Sequence, residues 1–196
     1  MSNTENLKIL LVDDNRGRSA ILEQALRDNG QQVIAILNSG ENLSAQVSAL
    51  HPDVIIIDLE SPDRDTLEQM RSISRDNPKP VVMFSEDKDV ESIKQAIAAG
   101  VSAYVVDGLS DKRIKSLMDV AIARFREYQA LKDELTQVKS TLEERKTVDR
   151  AKGMIMKRKG CDEEAAYQLL RKTAMSSNQR IAEVARNLIA TVEMLE

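Results

Sequence analysis

A doubly wound α/β domain with a five-stranded parallel sheet, followed by a long coiled-coil helix and a small all-α C-terminal bundle, is the architecture this 196-residue sequence predicts. Three observations point to it. Short apolar runs without polar alternation recur over the first half, separated by helix-spaced apolar residues. After Lys112 there is no glycine or proline until Gly153. The whole chain holds only 7 Gly and 4 Pro, a composition that favours helix.

The elements follow in order. Leu7-Lys8-Ile9-Leu10-Leu11-Val12 reads as a buried strand. Ile21, Leu22, Ala25 and Leu26 have helical spacing, and that helix ends at Asn29-Gly30. Gln32-Val33-Ile34-Ala35-Ile36 is strand-like, and Leu43, Val47 and Leu50 mark a second helix. Val54-Ile55-Ile56-Ile57 is fully apolar, as expected of a strand covered on both faces. Leu67, Met70 and Ile73 give a helix, Val81-Val82-Met83-Phe84 a strand, and Val90, Ile93 and Ile97 a helix stopping at Gly100. A fifth strand runs over residues 101–106. Strand and helix in strict alternation imply right-handed parallel crossovers, which place any ligand beyond the carboxyl ends of the strands.

Ile114, Leu117, Ala121, Arg124, Tyr128, Leu131, Leu135, Val138 and Leu142 then keep a 3,4 spacing over about four heptads. A helix of about 45 residues, roughly 65 Å long, cannot bury such a stripe on itself. A second copy is the simplest partner, so Leu117, Ala121, Tyr128, Leu131, Leu135, Val138 and Leu142 are expected to form the seam of a homodimer. The helix runs on to Gly160, a C-cap residue. Asp162-Glu163-Glu164 opens the next helix, and Ser176-x-x-Gln179 has the form of a capping box for the last. Three segments result: residues 1–112, 113–145 and 146–196.

Composition excludes several functions. One cysteine, Cys161, rules out an internal disulfide, and one histidine, His51, rules out a Cys/His zinc cluster. A Ser-His-Asp triad would have to use His51, in the turn-like His51-Pro52-Asp53. No apolar run approaches a membrane span and no secretory core is present, so a cytoplasmic protein without a membrane partner is expected. The net charge of −4 is unevenly spread. Residues 1–112 carry 11 basic and 19 acidic side chains, whereas residues 145–186 carry 11 basic and 5 acidic ones. An acidic front and a basic back suit different partners.

The acidic front has a specific pattern. Asp13 and Asp14 follow the first strand, Asp58 ends the third and Ser85 ends the fourth. In a parallel sheet these converge at one edge. Carboxylates brought together there call for a hard cation such as Mg²⁺, held by Asp13, Asp14 and Asp58. With Asp58 as acceptor and Ser85 beside it, the arrangement suits an acyl phosphate. Residues 7 to about 112 resemble the receiver domain of two-component response regulators. That family carries Lys-Pro after the fifth strand; here Asp107-Gly108 stands instead, a reversed charge in the pocket that handicaps phosphoryl transfer.

The basic back carries Ala151-Lys152-Gly153, Met156, Gly160, Glu164-Ala165, Leu170-Arg171, Ala174-Met175 and Val184-Ala185. These marks resemble the ANTAR domain of the AmiR/NasT antiterminators, closest to the nitrate-responsive NasT branch. The resemblance implies a non-enzymatic regulator that binds leader RNA hairpins and affects RNA polymerase indirectly. It also implies control by a nitrate-binding sensor protein or a histidine kinase, in nitrate/nitrite assimilation. Lys146, Arg150 and Lys157 share one helical stripe, and Arg145, Lys152 and Lys159 a neighbouring one. Arg150, Lys152 and Lys157, with Arg171, Lys172 and Arg180 from the following helices, are the expected RNA contacts. Tyr167 is the tail's only aromatic residue, so recognition by RNA shape is expected rather than a stacking sheet. The alternatives are a DNA-binding response regulator, disfavoured by only Arg180 and Arg186 on the last helix, and an interaction protein that binds no nucleic acid.

Overall fold

A computed structural model of the chain describes residues 6–106 and 113–194. It divides into two compact units, Met1–Gln129 and Ala130–Glu196.

The first unit alternates strand and helix: β1 (Lys8–Asp13), α1 (Arg16–Asp28), β2 (Gln32–Leu37), α2 (Leu43–Leu50), β3 (Val54–Asp58), α3 (Arg64–Asp76), β4 (Val81–Ser85), α4 (Val90–Ala98) and β5 (Ala103–Val106). The sheet is parallel throughout, in the order β2-β1-β3-β4-β5. Successive strand residues point to opposite faces, and both faces are covered. Leu10, Val12, Ile55 and Ile57 pack with Leu43, Val47, Leu67 and Met70 of α2 and α3. Ile9, Leu11, Ile56 and Phe84 pack with Leu22 and Leu26 of α1 on the other side. Asn15, Asp63 and Asp89 cap α1, α3 and α4 by accepting backbone N–H groups. His51 is the left-handed C-cap of α2 (φ 48°), a purely local role.

The tenth element is the long helix α5 (Ile114–Lys159). Its first turns belong to the first unit. Ile114, Met118, Ala121 and Ile122 are buried in the core beside β4 and β5, and Leu117 packs against it. This corrects the expected seam: Leu117 and Ala121 face their own sheet, because the doubly wound fold needs a helix to cover that side. The first compact unit ends at Gln129, within the segment 113–145 expected to link the two domains. Tyr128, Leu131, Leu135, Val138 and Leu142 are each more than half exposed and keep the 3,4 spacing. The helices expected from Ile21 and from Val90 and Ile97 are present, although Val90 (63% exposed), Ile97 (47%) and Ile21 face outward and Ala96 is buried on α4.

The second unit holds the rest of α5, then α6 (Glu163–Ser177) and α7 (Ile181–Glu193). Ala151, Leu170, Ala174, Val184, Ala185 and Ile189 form its core, with Met154 and Ile155 against it; Leu169 stays exposed. Gly160 ends α5 at φ +63°, the left-handed conformation its position requires. Asp162 caps α6 by accepting the Ala165 N–H. Ser176 does not cap α7. It lies within α6, and its hydroxyl donates to the Thr173 carbonyl. Arg180 occupies the cap position of α7, and Glu183 accepts its N–H.

Candidate functional site

The carboxyl edge of the sheet is set by register. Asp13 and Asp58 are opposite one another at the ends of the adjacent strands β1 and β3, and Ser85 ends β4. All three side chains are buried. Asp14 is not part of this group. It is exposed, and its carboxylate accepts both the backbone N–H and the hydroxyl of Ser39, each at 2.8 Å. Ser85 Oγ donates to the Glu60 carbonyl (2.8 Å) and accepts the Asp87 N–H (3.1 Å). Asp107, expected as a further acid of the pocket, lies outside the described residues.

A cation that sequence reasoning missed stands between the two buried acids. Arg18, in the first turn of α1, places Nη2 3.1 Å from Asp13 Oδ1 and Nε 3.0 Å from Asp58 Oδ2. Nη2 also donates to the Asp58 carbonyl at 3.2 Å. Asp13 Oδ1 accepts the Asn15 N–H at 2.8 Å, while Asp13 Oδ2 is buried without a hydrogen-bond partner. Burial lowers the Arg18 pKa, but its hydrogen bond to Asp13 and the charges of Asp58, Asp13 and Glu60 outweigh that and hold it above its ordinary value. Burial raises the Asp58 carboxyl; Arg18 opposes this, while Asp13 and Glu86 add to it. One signal was available in the sequence: a positive charge at a helix N-terminus is unfavourable unless nearby acids compensate it.

The expected Mg²⁺ site is therefore not assembled. Among the described residues no three His, Cys, Asp or Glu side chains are grouped to hold a metal. Asp14 is bonded elsewhere, and a guanidinium takes the space between Asp13 and Asp58. Mg²⁺ demands near-octahedral oxygen ligands at about 2.1 Å, which this arrangement does not offer.

The second unit carries a groove of about 1310 Å³ between α5, α6 and the start of α7. Arg145, Lys152, Tyr167, Arg171, Asn178 and Arg180 line it. Of the expected RNA contacts, it thus collects Lys152, Arg171 and Arg180. Lys152, however, is only 13% exposed and lies 2.6 Å from both Asp149 and Glu163. These hydrogen bonds hold Lys152 above the ordinary lysine value, and the bond to Lys152 holds Asp149 below the ordinary carboxylate value. Lys152 ties α5 to the start of α6 and is no longer a free cation. Arg180 lies 3.9 Å from Glu144 and is mostly exposed. Arg145 and Arg171 have no ion-pair partner within 4 Å among the described residues.

Arg150 is on the other side of α5. With Lys146 and Arg186 it lines a smaller groove of about 360 Å³, and it pairs with Glu193. Lys157 and Lys172 are exposed and line neither groove. The expected single surface is therefore two surfaces, with the Arg145–Lys152 stripe rather than the Arg150–Lys157 stripe facing the larger groove. Arg145, placed by the sequence on a basic stripe but not among the expected contacts, and Tyr167, expected only as the lone aromatic residue, line it as well.

The response regulator receiver domain family matches residues 9–119, more than half of the chain, and the ANTAR domain family matches residues 136–189. The chain belongs to the response regulators, with a receiver domain followed by an ANTAR domain. The transcriptional regulatory protein PdtaR of Mycobacterium tuberculosis is 28% identical over 94% of this chain and 91% of its own length. The nitrate regulatory protein of Klebsiella oxytoca is 40% identical over 89 residues, which cover 45% of this chain and 22% of that protein. Among solved structures, the receiver domain of a modulated diguanylate cyclase from Desulfovibrio desulfuricans superposes with a TM-score of 0.55 at 20% identity. It covers 63% of this regulator and 99% of that domain, and shows the shared receiver fold. Among the described residues no helix is long and apolar enough to cross a membrane.

Proposed function

We propose that this response regulator is a cytoplasmic transcription antiterminator without turnover, which binds leader RNA hairpins through its ANTAR domain. By holding the RNA in the paired form, it keeps a terminator from forming, so RNA polymerase is affected indirectly. The observation that carries this reading is the cationic groove of α5, α6 and α7 inside the ANTAR segment. Arg145, Lys152, Arg171 and Arg180 line it beside three acids, Glu144, Asp149 and Glu163, so four cations face three carboxylates, and Tyr167 adds one aromatic face. Such a surface suits phosphates and an unpaired loop base. Input comes through the receiver domain, from a histidine kinase or a nitrate-binding sensor protein. The partial similarity to a nitrate regulatory protein supports nitrate/nitrite assimilation as the process. The exposed stripe from Tyr128 to Leu142 supports pairing of two copies.

Binding of a two-hairpin leader RNA by the full chain, measured over a salt series beside duplex DNA of equal length, tests this. Arg145→Ala, Arg171→Ala and Arg180→Ala should each weaken RNA binding by about tenfold for a contact worth ~1.4 kcal/mol. Each should also lower the log–log salt slope by about 0.7–0.9. Lys152→Ala should instead lower the stability of the helical unit, with circular dichroism as the readout. Wild-type affinity in all three arginine variants, or equal affinity for duplex DNA, refutes the assignment.

A further inference from the structure

We infer that Arg18 is a resident counterion that takes the place of the divalent cation in the receiver pocket, so that the pocket excludes metal for as long as the guanidinium stays in. The geometry of one side chain carries this. A single guanidinium reaches Asp13 Oδ1 at 3.1 Å, Asp58 Oδ2 at 3.0 Å and the Asp58 carbonyl at 3.2 Å. Those are oxygens that a cation at this edge of the sheet would need. The Asp58 contact is an ion pair rather than an aligned hydrogen bond, since Arg18 Nε is without a hydrogen-bond partner. The guanidinium leaves only one oxygen of each carboxylate, Asp58 Oδ1 and the buried, unpartnered Asp13 Oδ2, two donors where Mg²⁺ takes about six. The third acid is withdrawn as well, because Ser39 occupies both oxygens of Asp14.

Charge and solvation argue the same way. Asp13 and Asp58 are both buried, so two negative charges face each other in a medium that solvates them poorly. A guanidinium on the adjacent helix offsets them without stripping water from a strongly hydrated Mg²⁺. The side chain is also held from below. Its own backbone N–H is bonded to the Asn15 cap, which fixes the first turn of α1 relative to the end of β1. Beside it lies a crevice of about 790 Å³, lined by Arg16, Ser39, Glu60 and Asp63 among others, with room to receive the guanidinium if it leaves the acids. Arg18 is thus a positioning residue for Asp58, fixing the carboxylate without a metal.

Mn²⁺ binding, read as loss of the free-ion electron paramagnetic resonance signal, tests this on the full chain. The wild type should leave millimolar Mn²⁺ free. Arg18→Ala should bind one equivalent at least tenfold more tightly and gain melting temperature with added Mg²⁺. Arg18→Lys, which keeps the charge, should stay close to wild type. Arg18→Met retains the aliphatic stem and replaces Arg18→Ala should that variant fail to fold. Addition of Asp58→Asn to either neutral variant should abolish the gained site. Wild-type binding within threefold of Arg18→Ala overturns the inference. So does an absence of binding in every Arg18 variant, since the guanidinium would then not be what keeps the ion out.

Discussion

Burial of Asp58 outweighs the opposing charge of Arg18, its cationic neighbour among the described residues. The Asp58 carboxyl is raised above its ordinary value first by burial, and Arg18 only partly opposes the shift. A carboxyl whose folded pKa exceeds its unfolded one binds more protons in the native state between the two values. Stability therefore falls as pH rises through that interval, and the penalty is complete above it. Asp58→Asn removes the penalty and leaves Arg18 paired with Asp13. The variant should melt above the wild type at pH 7, with the gap closing as pH approaches the ordinary carboxylate value. A variant that melts lower at pH 7 would show the Arg18 pair outweighing burial. At this scale the sequence was a partial guide. Asp13, Asp58 and Ser85 were legible because strand alternation and parallel register bring strand ends together. The direction of Asp14 and the reach of Arg18 were not, because both depend on the turn between β1 and α1. Lys152 was misread for a similar reason: its partner Glu163 is brought near only by the reversal at Gly160.

Whole elements were easier to read than their faces. Every strand and helix of the alternating half was present in the apolar pattern, since two buried sheet faces leave little freedom in sequence. What periodicity does not encode is which neighbour a stripe meets. The 3,4 spacing of α5 is continuous, yet Ile114 and Ala121 meet their own sheet while Leu131 and Leu135 meet solvent. Gly100, just beyond α4, shows how tightly these elements are set. Its φ of +108° is rarely open to other residues, and a Cβ there would lie 2.7 Å from Ser74 Cβ and 2.8 Å from its Oγ. Gly100→Ala should cost about 2 kcal/mol or more through strain and overlap together, read as a lowered melting temperature of the receiver domain. Gly160 is the counter-example. A Cβ there meets nothing within 4 Å, so only the φ of +63° opposes a side chain, and Gly160→Asn, which tolerates that conformation best, should lower the melting temperature of the helical unit by less than Gly100→Ala lowers that of the receiver domain.

For the molecule as a whole, the stripe from Tyr128 to Leu142 is the feature that a single copy leaves unburied. Leu131→Asp with Leu135→Asp places charge where the proposed pairing needs apolar contact, at several kcal/mol by desolvation. Sedimentation of the free regulator should show a dimer for wild type and a monomer for the double variant; an unchanged dimer would place the interface elsewhere. The helix that carries the stripe has a further consequence. From residue 130 to 143 every position is exposed. Fourteen or so helical residues without tertiary support are marginal in water and open locally at little cost. In an unpaired chain, Lys132 and Lys139 would thus be backbone that a trypsin-like protease meets early. Pairing through these turns would close them, so that the lifetime of each copy depends on whether it has found another.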